Sequence, residues 1–208
     1  MNPTELEKKI LDTAERLFLE KGFNGTSTTD IARAVGCNQA LVHYYYRTKE
    51  KLFSDIYMQK IEQFLNYANL YKYDGDFYGF VNQMVCAYFD FLNTHRQLPF
   101  FIINELALNK DRRCQIKDIV VQNQQKQEIY YSVDKIIQDE IKKGTIKPIE
   151  TFDLLINCLS LVAMTFLTLP MVTDFLQKTP EQVDQYLENR KKEIMTSILC
   201  RLKPEQTI

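Results

Sequence analysis

Glycine and proline are scarce, six of each in 208 residues. Chains rich in loops or built only of strands need many more turn formers, so both classes are disfavoured. Histidine is scarcer still, with two residues far apart. No paired histidine–carboxylate set, glycine-rich phosphate loop or activated nucleophile stands out. No catalytic residue, metal ligand or cofactor is therefore expected. The five cysteines, Cys37, Cys86, Cys114, Cys158 and Cys200, are odd in number and lack metal-ligand spacing. They read as buried or idle thiols of a reducing cytosol, with redox sensing by one of them as the alternative. Net charge is also nearly absent, at -1, so any surface for nucleic acid must be a local patch. The N-terminus, MNPTELEKKILDTAERLF, carries acids throughout and no uninterrupted apolar run. It is not read as a signal peptide, and a cytoplasmic location follows. One stretch, Leu154 to Val172, is long enough to cross a bilayer. Asn157, Ser160, Thr165, Thr168 and Pro170 interrupt it and no second span exists, so a buried soluble helix is expected.

What is present is helical periodicity and, at 45% hydrophobic residues, enough apolar material for a core. Ile10, Leu11, Ala14, Leu17 and Phe18 share one helical face, and Gly22 stops that helix. Ser27-Thr28-Thr29-Asp30 reads as a capping box for a short helix with Ile31, Ala32 and Val35 inward, ended by Gly36. A third short helix runs from about Asn38 to Arg47, with Val42 and Tyr46 inward. Thr48 caps a long fourth helix whose inward residues run from Leu52 through Phe64 and Leu65 to Ala68. A loop is expected from Lys72 to Gly79, then helices over Phe80–Asn93, Pro99–Leu108, Asp111–Lys143, Thr151 to about Thr168, and a last one opened by Thr179-Pro180-Glu181-Gln182. The fold class is all-α, with about nine helices and a boundary near Ser54.

The segment GCNQALVHYYYRTKEKL, residues 36 to 52, carries the chemistry. Two short helices with a glycine at the corner form a helix-turn-helix, whose second helix enters the major groove. Gln39, Ala40, His43 and Tyr44 then point outward. Gln can bond bidentately to adenine and the Ala methyl can touch a thymine methyl. Tyr hydroxyls and the His ring can reach phosphate oxygens. Three consecutive tyrosines point about 100° apart on a helix, so they cannot share one core; Tyr46 is placed inward, Tyr44 and Tyr45 outward. Between Ile31 and Leu52 the cations Arg33, Arg47, Lys49 and Lys51 face the single anion Glu50, a local +3. Lys49 sits beside the first amides of the fourth helix, where a phosphate is favoured.

At these residues the chain resembles the TetR family of bacterial transcriptional regulators. The stretch ILDTAERLFLEKGFNGTSTTDIARAVGCNQALVHYYYRTKEKLF supplies Ala14, Leu17, Phe18, Gly22, Phe23, Ile31, Ala32, Gly36, Lys49, Glu50 and Leu52 in step with the family pattern. It departs in three places: His43 and Tyr45 exchange the family's Tyr and His, Asn38 replaces a common Ser, and Thr29 stands where some members carry a base-reading Arg. The resemblance implies DNA contacts from Ser27, Thr28, Thr29, Asn38, Gln39, Ala40, His43, Tyr44, Tyr45 and Lys49. It implies a helix-turn-helix DNA-binding domain over 1–53 and a helical ligand-binding and dimerisation domain over 54–208. It further implies a homodimer joined through the last two helices, palindromic double-stranded operator DNA, and release by a small effector that moves the fourth helix. The Thr151–Thr168 helix is apolar nearly all round, which suits one side packed on its own domain and one on a partner.

For the effector site the candidates are Phe64, Tyr88, Phe91, Phe101, Asn104, Glu105, Tyr131 and Met164, with Asn104 and Glu105 as the polar exceptions and an apolar or aromatic ligand expected. The rival readings are a helical enzyme, which lacks a catalytic constellation, and a helical adaptor binding another protein through Thr151–Thr168, which leaves the basic segment unexplained.

Overall fold

The structure is a computed structural model and describes residues 3–67, 73–122 and 124–204. The described residues form ten helices and no strand. They divide into two compact units, one reaching to Phe64 and taking in Phe100–Leu108, the other holding Leu65–Pro99 and the chain from Asn109 onward. The first unit therefore runs past Ser54 and includes a later segment.

The first unit contains α1 (Pro3–Lys21), α2 (Thr28–Val35), α3 (Gln39–Tyr46), α4 (Lys49–Tyr67) as far as Phe64, and most of α6 (Leu98–Leu108). Its core is the set of residues on the predicted inner faces: Ile10, Ala14, Leu17 and Phe18 of α1, Ile31, Ala32 and Val35 of α2, Val42 of α3, and Leu52, Phe53, Ile56, Tyr57 and Ile61 of α4. The Leu65 side chain and Ala68 lie outside the described residues, as does Lys72. Phe53 joins the rings, edge-on to Phe18 at 5.0 Å and to Phe23 at 4.9 Å. Phe101 of α6 lies 5.3 Å from Phe53 and 5.4 Å from Tyr57, and the Tyr57 hydroxyl donates to Ile102 O at 3.1 Å. One ion pair is sunk into this unit: Lys60 Nζ of α4 meets Glu15 Oε1 of α1 at 2.5 Å.

The second unit is built from α5 (Phe77–Thr94), α7 (Lys110–Gln122), α8 (Gln124–Lys142), α9 (Thr151–Leu176) and α10 (Pro180–Leu202). α9 packs on α5, α8 and α10. Leu154, Cys158, Val162, Phe166 and Leu169 form its buried stripe, facing Val183, Leu187, Ile194, Ile198 and Leu202 of α10 and the apolar side of α5. Buried Thr165 donates to Leu161 O at 2.9 Å and accepts from Arg190 Nε at 3.4 Å, so its hydroxyl is satisfied on both counts.

Three helix bounds differ from expectation. α5 starts at Phe77, because the Asp76 carboxylate accepts from Gly79 N and caps it three residues early. The helix expected over Asp111–Lys143 is described as α7 and α8, with residue 123 outside the described residues. α9 continues past Thr168 through Pro170 to Leu176. Pro170 cannot donate to Phe166 O, but it sits on the exposed side, where water can serve that carbonyl.

Buried Glu140 near the end of α8 is held by three donors: Lys143 Nζ at 2.6 Å, Thr145 Oγ1 at 2.5 Å and Tyr73 OH at 2.9 Å. The Lys143 and Thr145 bonds, assisted by Tyr73, pull its pKa from 4.5 to about 2. A depressed carboxylate stabilises the fold above its unfolded pKa, and that stability drains as pH falls from about 4.5 towards 2. Glu140→Gln is expected to cost about 2 kcal/mol at neutral pH, the worth of hydrogen bonds to a charged group. It should also flatten the acid limb of the stability curve; urea titrations at neutral and acid pH check both.

Candidate nucleic-acid interface

The α2–turn–α3 unit is defined by its caps. Ser27 Oγ accepts from Asp30 N at 3.1 Å while the Asp30 carboxylate accepts from Ser27 N at 3.1 Å, a complete capping box. The Ser27 hydroxyl bond, with the Ser27 amide, holds the Asp30 carboxyl below its usual pKa. Gly36 ends α2 at φ 78°, ψ 36°, a left-handed conformation that favours glycine. Asn38 Oδ1 then accepts from Ala40 N at 2.9 Å and starts α3.

Val42 is the buried anchor of α3. Tyr46 is half-buried and its hydroxyl donates to Glu7 O at 3.3 Å. Burial, then the Glu7 carboxylate, pushes its pKa up to about 12, so it remains a neutral donor. The opposite face is open. Gln39, Ala40 and His43 are exposed, and Tyr44 is 78% exposed with its ring edge-on to half-buried Tyr45 at 5.2 Å. Ser27 and Thr29 are exposed beside them, with Thr28 half-buried.

Lys49 differs from expectation. Its ammonium turns into the α1–α2 connection, donating to Phe23 O and Thr26 O at 3.0 Å each, 4.0 Å from the centre of the Phe23 ring. An ammonium has three donors, so one N–H remains for a phosphate. Lys49→Ala is expected to lower stability by about 1–3 kcal/mol, because two part-buried carbonyls lose a charged donor. His43→Ala, on the exposed face, should stay within about 0.5 kcal/mol of wild type. Urea denaturation of both variants separates them.

α3 closes on a feature that its sequence does not announce. Arg47 adopts φ 58°, ψ -54°, and Thr48 N donates to Tyr46 O across it at 2.6 Å. This is a γ-turn of the strained, positive-φ kind. It directs Arg47 O back along α3, where His43 Nδ1 lies 3.1 Å away. Gln39 Nε2 reaches Thr28 Oγ1 at 2.9 Å and His43 Nε2 at 3.3 Å. Gln39, His43 and Arg47 are four apart, so their shared face was readable; the link to Thr28 required the turn geometry.

The eight effector-site candidates are divided between the two units. Phe64, Phe101, Asn104 and Glu105 belong to the first unit, and Tyr88, Phe91, Tyr131 and Met164 to the second. Asn104, Tyr131 and Met164 are on the surface, and Phe101 is part of the Phe53–Tyr57 cluster. Phe91 is buried with its ring 4.6 Å from His95, and burial pushes the half-buried Tyr88 hydroxyl's pKa up. Within the second unit, an open surface groove lies among Ile141, Ile146, Lys147, Pro148 and Arg201. Helical spacing marked these aromatics as inward but did not say which neighbour fills the space.

Residues 10–56 match the family model described as bacterial regulatory proteins, tetR family. Over 177 residues the chain is 24% identical to YttP of Bacillus subtilis, named a probable HTH-type transcriptional regulator, covering 84% of this chain and 83% of YttP. It is 39% identical over 62 residues to IcaR of Staphylococcus epidermidis, a biofilm operon HTH-type negative transcriptional regulator, spanning 30% of this chain and 31% of IcaR. The fold resembles that of the TetR family regulator PfmR from Thermus thermophilus, at 16% identity and TM-score 0.64 over 90% of this chain and 97% of that one. With its capped helix-turn-helix and these matches, the chain carries a TetR-type DNA-binding segment over residues 10–56 and is similar along most of its length to HTH-type transcriptional regulators.

Proposed function

We propose that this protein is a cytoplasmic repressor that binds palindromic operator DNA as a homodimer and releases it when a small, apolar or aromatic effector binds. The observation that carries the reading is the open face of α3. Gln39, Ala40, His43 and Tyr44 are exposed on a helix whose buried side is pinned by Val42 and whose start and end are capped. In this reading Gln39 and Ala40 meet base edges, Tyr44 and Tyr45 meet phosphates, and His43 stands beside Gln39 on the same face. Ser27, Thr28, Thr29 and Asn38 serve phosphates from the starts of α2 and α3, together with the remaining Lys49 N–H.

TetR regulators act as dimers. The surface we assign to the dimer is the outer stripe of α9, Phe152, Ile156, Met164, Met171 and Phe175, all exposed in the single chain. By length and composition α9 could also cross a membrane, yet its other side packs on α5, α8 and α10. A stripe open on one side only suits a second protein copy better than lipid. Two copies related by a two-fold axis would present two α3 helices to symmetric half-sites.

The test is fluorescence anisotropy with DNA from upstream of the coding sequence across a salt series. Affinity should fall steeply with salt, with a slope of about -0.9 per phosphate contacted. His43→Ala and Lys49→Ala should each weaken binding. Salt-independent binding, or unchanged affinity in both variants, contradicts the placement of α3.

A further inference from the structure

The side chains that flank Gln39 decide which of its atoms a DNA base can meet. Arg47 O is a carbonyl and only accepts, so His43 Nδ1, 3.1 Å away, must carry the hydrogen. In the neutral ring His43 Nε2 is then the acceptor. The Gln39 atom 3.3 Å from it must be a donor, which is Nε2. The second amide hydrogen of Gln39 goes to Thr28 Oγ1 at 2.9 Å. Both N–H groups are therefore turned towards the protein. Gln39 Oε1 takes no hydrogen bond from the described residues, and Gln39 as a whole is exposed.

We infer that Gln39 reads DNA through Oε1 alone, as a hydrogen-bond acceptor, with Thr28 and His43 as its positioning residues. In the major groove the bases that present a donor are adenine, through N6, and cytosine, through N4; guanine presents acceptors and thymine an acceptor and a methyl group. The residue therefore selects A or C at one position of each half-site and rejects G. The bidentate adenine contact open to an unconstrained glutamine is not available, because it needs an N–H that Thr28 or His43 holds. The strained turn at Arg47 takes part at one remove: its carbonyl sets the His43 tautomer, and the tautomer sets the amide.

This inference rests on α3 being the DNA-reading helix, and the experiment keeps the two apart. Wild type, Gln39→Ala, Thr28→Val and His43→Ala are each used to select from duplexes randomised across a half-site, with the melting curve of each variant recorded. Wild type should restrict one position to A or C by about fivefold or more over G. Gln39→Ala should lose that restriction and leave the other positions as they were. Thr28→Val, which cannot accept, and His43→Ala should each free an amide hydrogen and admit guanine at the same position. Any phosphate contact that Thr28→Val also loses lowers affinity across all sequences without reordering the bases. A guanine preference in wild type overturns the inference, as does an unchanged profile at the Gln39-dependent position in both positioning variants. Selection that is sequence-specific yet indifferent to Gln39→Ala overturns it too. If wild type enriches no sequence and binds without salt dependence, the failure is that of α3 as the reading helix.

Discussion

Ile156→Asp combined with Met164→Asp will turn the chain into a monomer and lower its operator affinity by about a hundredfold or more. Both side chains lie on the exposed stripe of α9, and Met164 is 57% exposed in the single chain. Across a two-fold axis each change is made twice, so four carboxylates enter an apolar interface without partners. A monomer binds one half-site at a time and forfeits the effective concentration that linkage gives the second. The single chain itself should tolerate the changes. Neither residue is in the core, and aspartate within a helix costs only about 0.5 kcal/mol at each position relative to good helix formers. Sedimentation velocity and anisotropy together check the result. A variant that stays dimeric with full affinity places the dimer surface elsewhere. Wild type that is monomeric and floats with lipid vesicles gives the stripe to a membrane.

The second large effect concerns the Glu15–Lys60 pair. Glu15→Ala should cost about 3 kcal/mol, because it strands a buried ammonium. Lys60 has 9% of its side chain exposed and Glu15 26%, which puts the cost at the lower end of the range for such pairs. Gln63 Oε1, 3.3 Å from Lys60 Nζ, offsets a little of it. Lys60→Met, which replaces the ammonium by an apolar group of similar length, should lie near neutral or be stabilising. The asymmetry is the informative part. Urea denaturation of both single variants measures it, and equal costs would mean that the pair is no more desolvated than a surface one.

The parts of this fold that were legible in the sequence are those set within a few residues. The Ser27–Asp30 box, the Gly36 corner, the Asn38 cap and the Val42 anchor each depend on spacings of two to four residues, and propensity and chain geometry suffice to place them. The direction of Lys49 was not legible, because its partners, Phe23 O and Thr26 O, are carbonyls of a distant connection. A sequence shows a lysine at a helix start but not which acceptor its flexible stem will find. The surroundings of the effector-site candidates were hidden for a related reason. Phe101 and Phe91 both have the period of inward residues, and period alone does not separate a filled core from a cavity. α9 outran its expected end because Pro170 falls on the solvent side, which depends on the packing of the whole second unit. The Arg47 turn carried no signal, since arginine is not a residue that positive φ would suggest.

The central claim is that the outward face of α3 lies against a DNA groove. A photocrosslinking residue in place of Tyr44, whose ring meets only that of its neighbour Tyr45 among the described residues, tests it most directly. Irradiation of the operator complex should join the protein to bases or backbone within each half-site, and high salt should abolish the adduct along with binding. A protein that still shifts the operator but forms no adduct from position 44 would contradict the account.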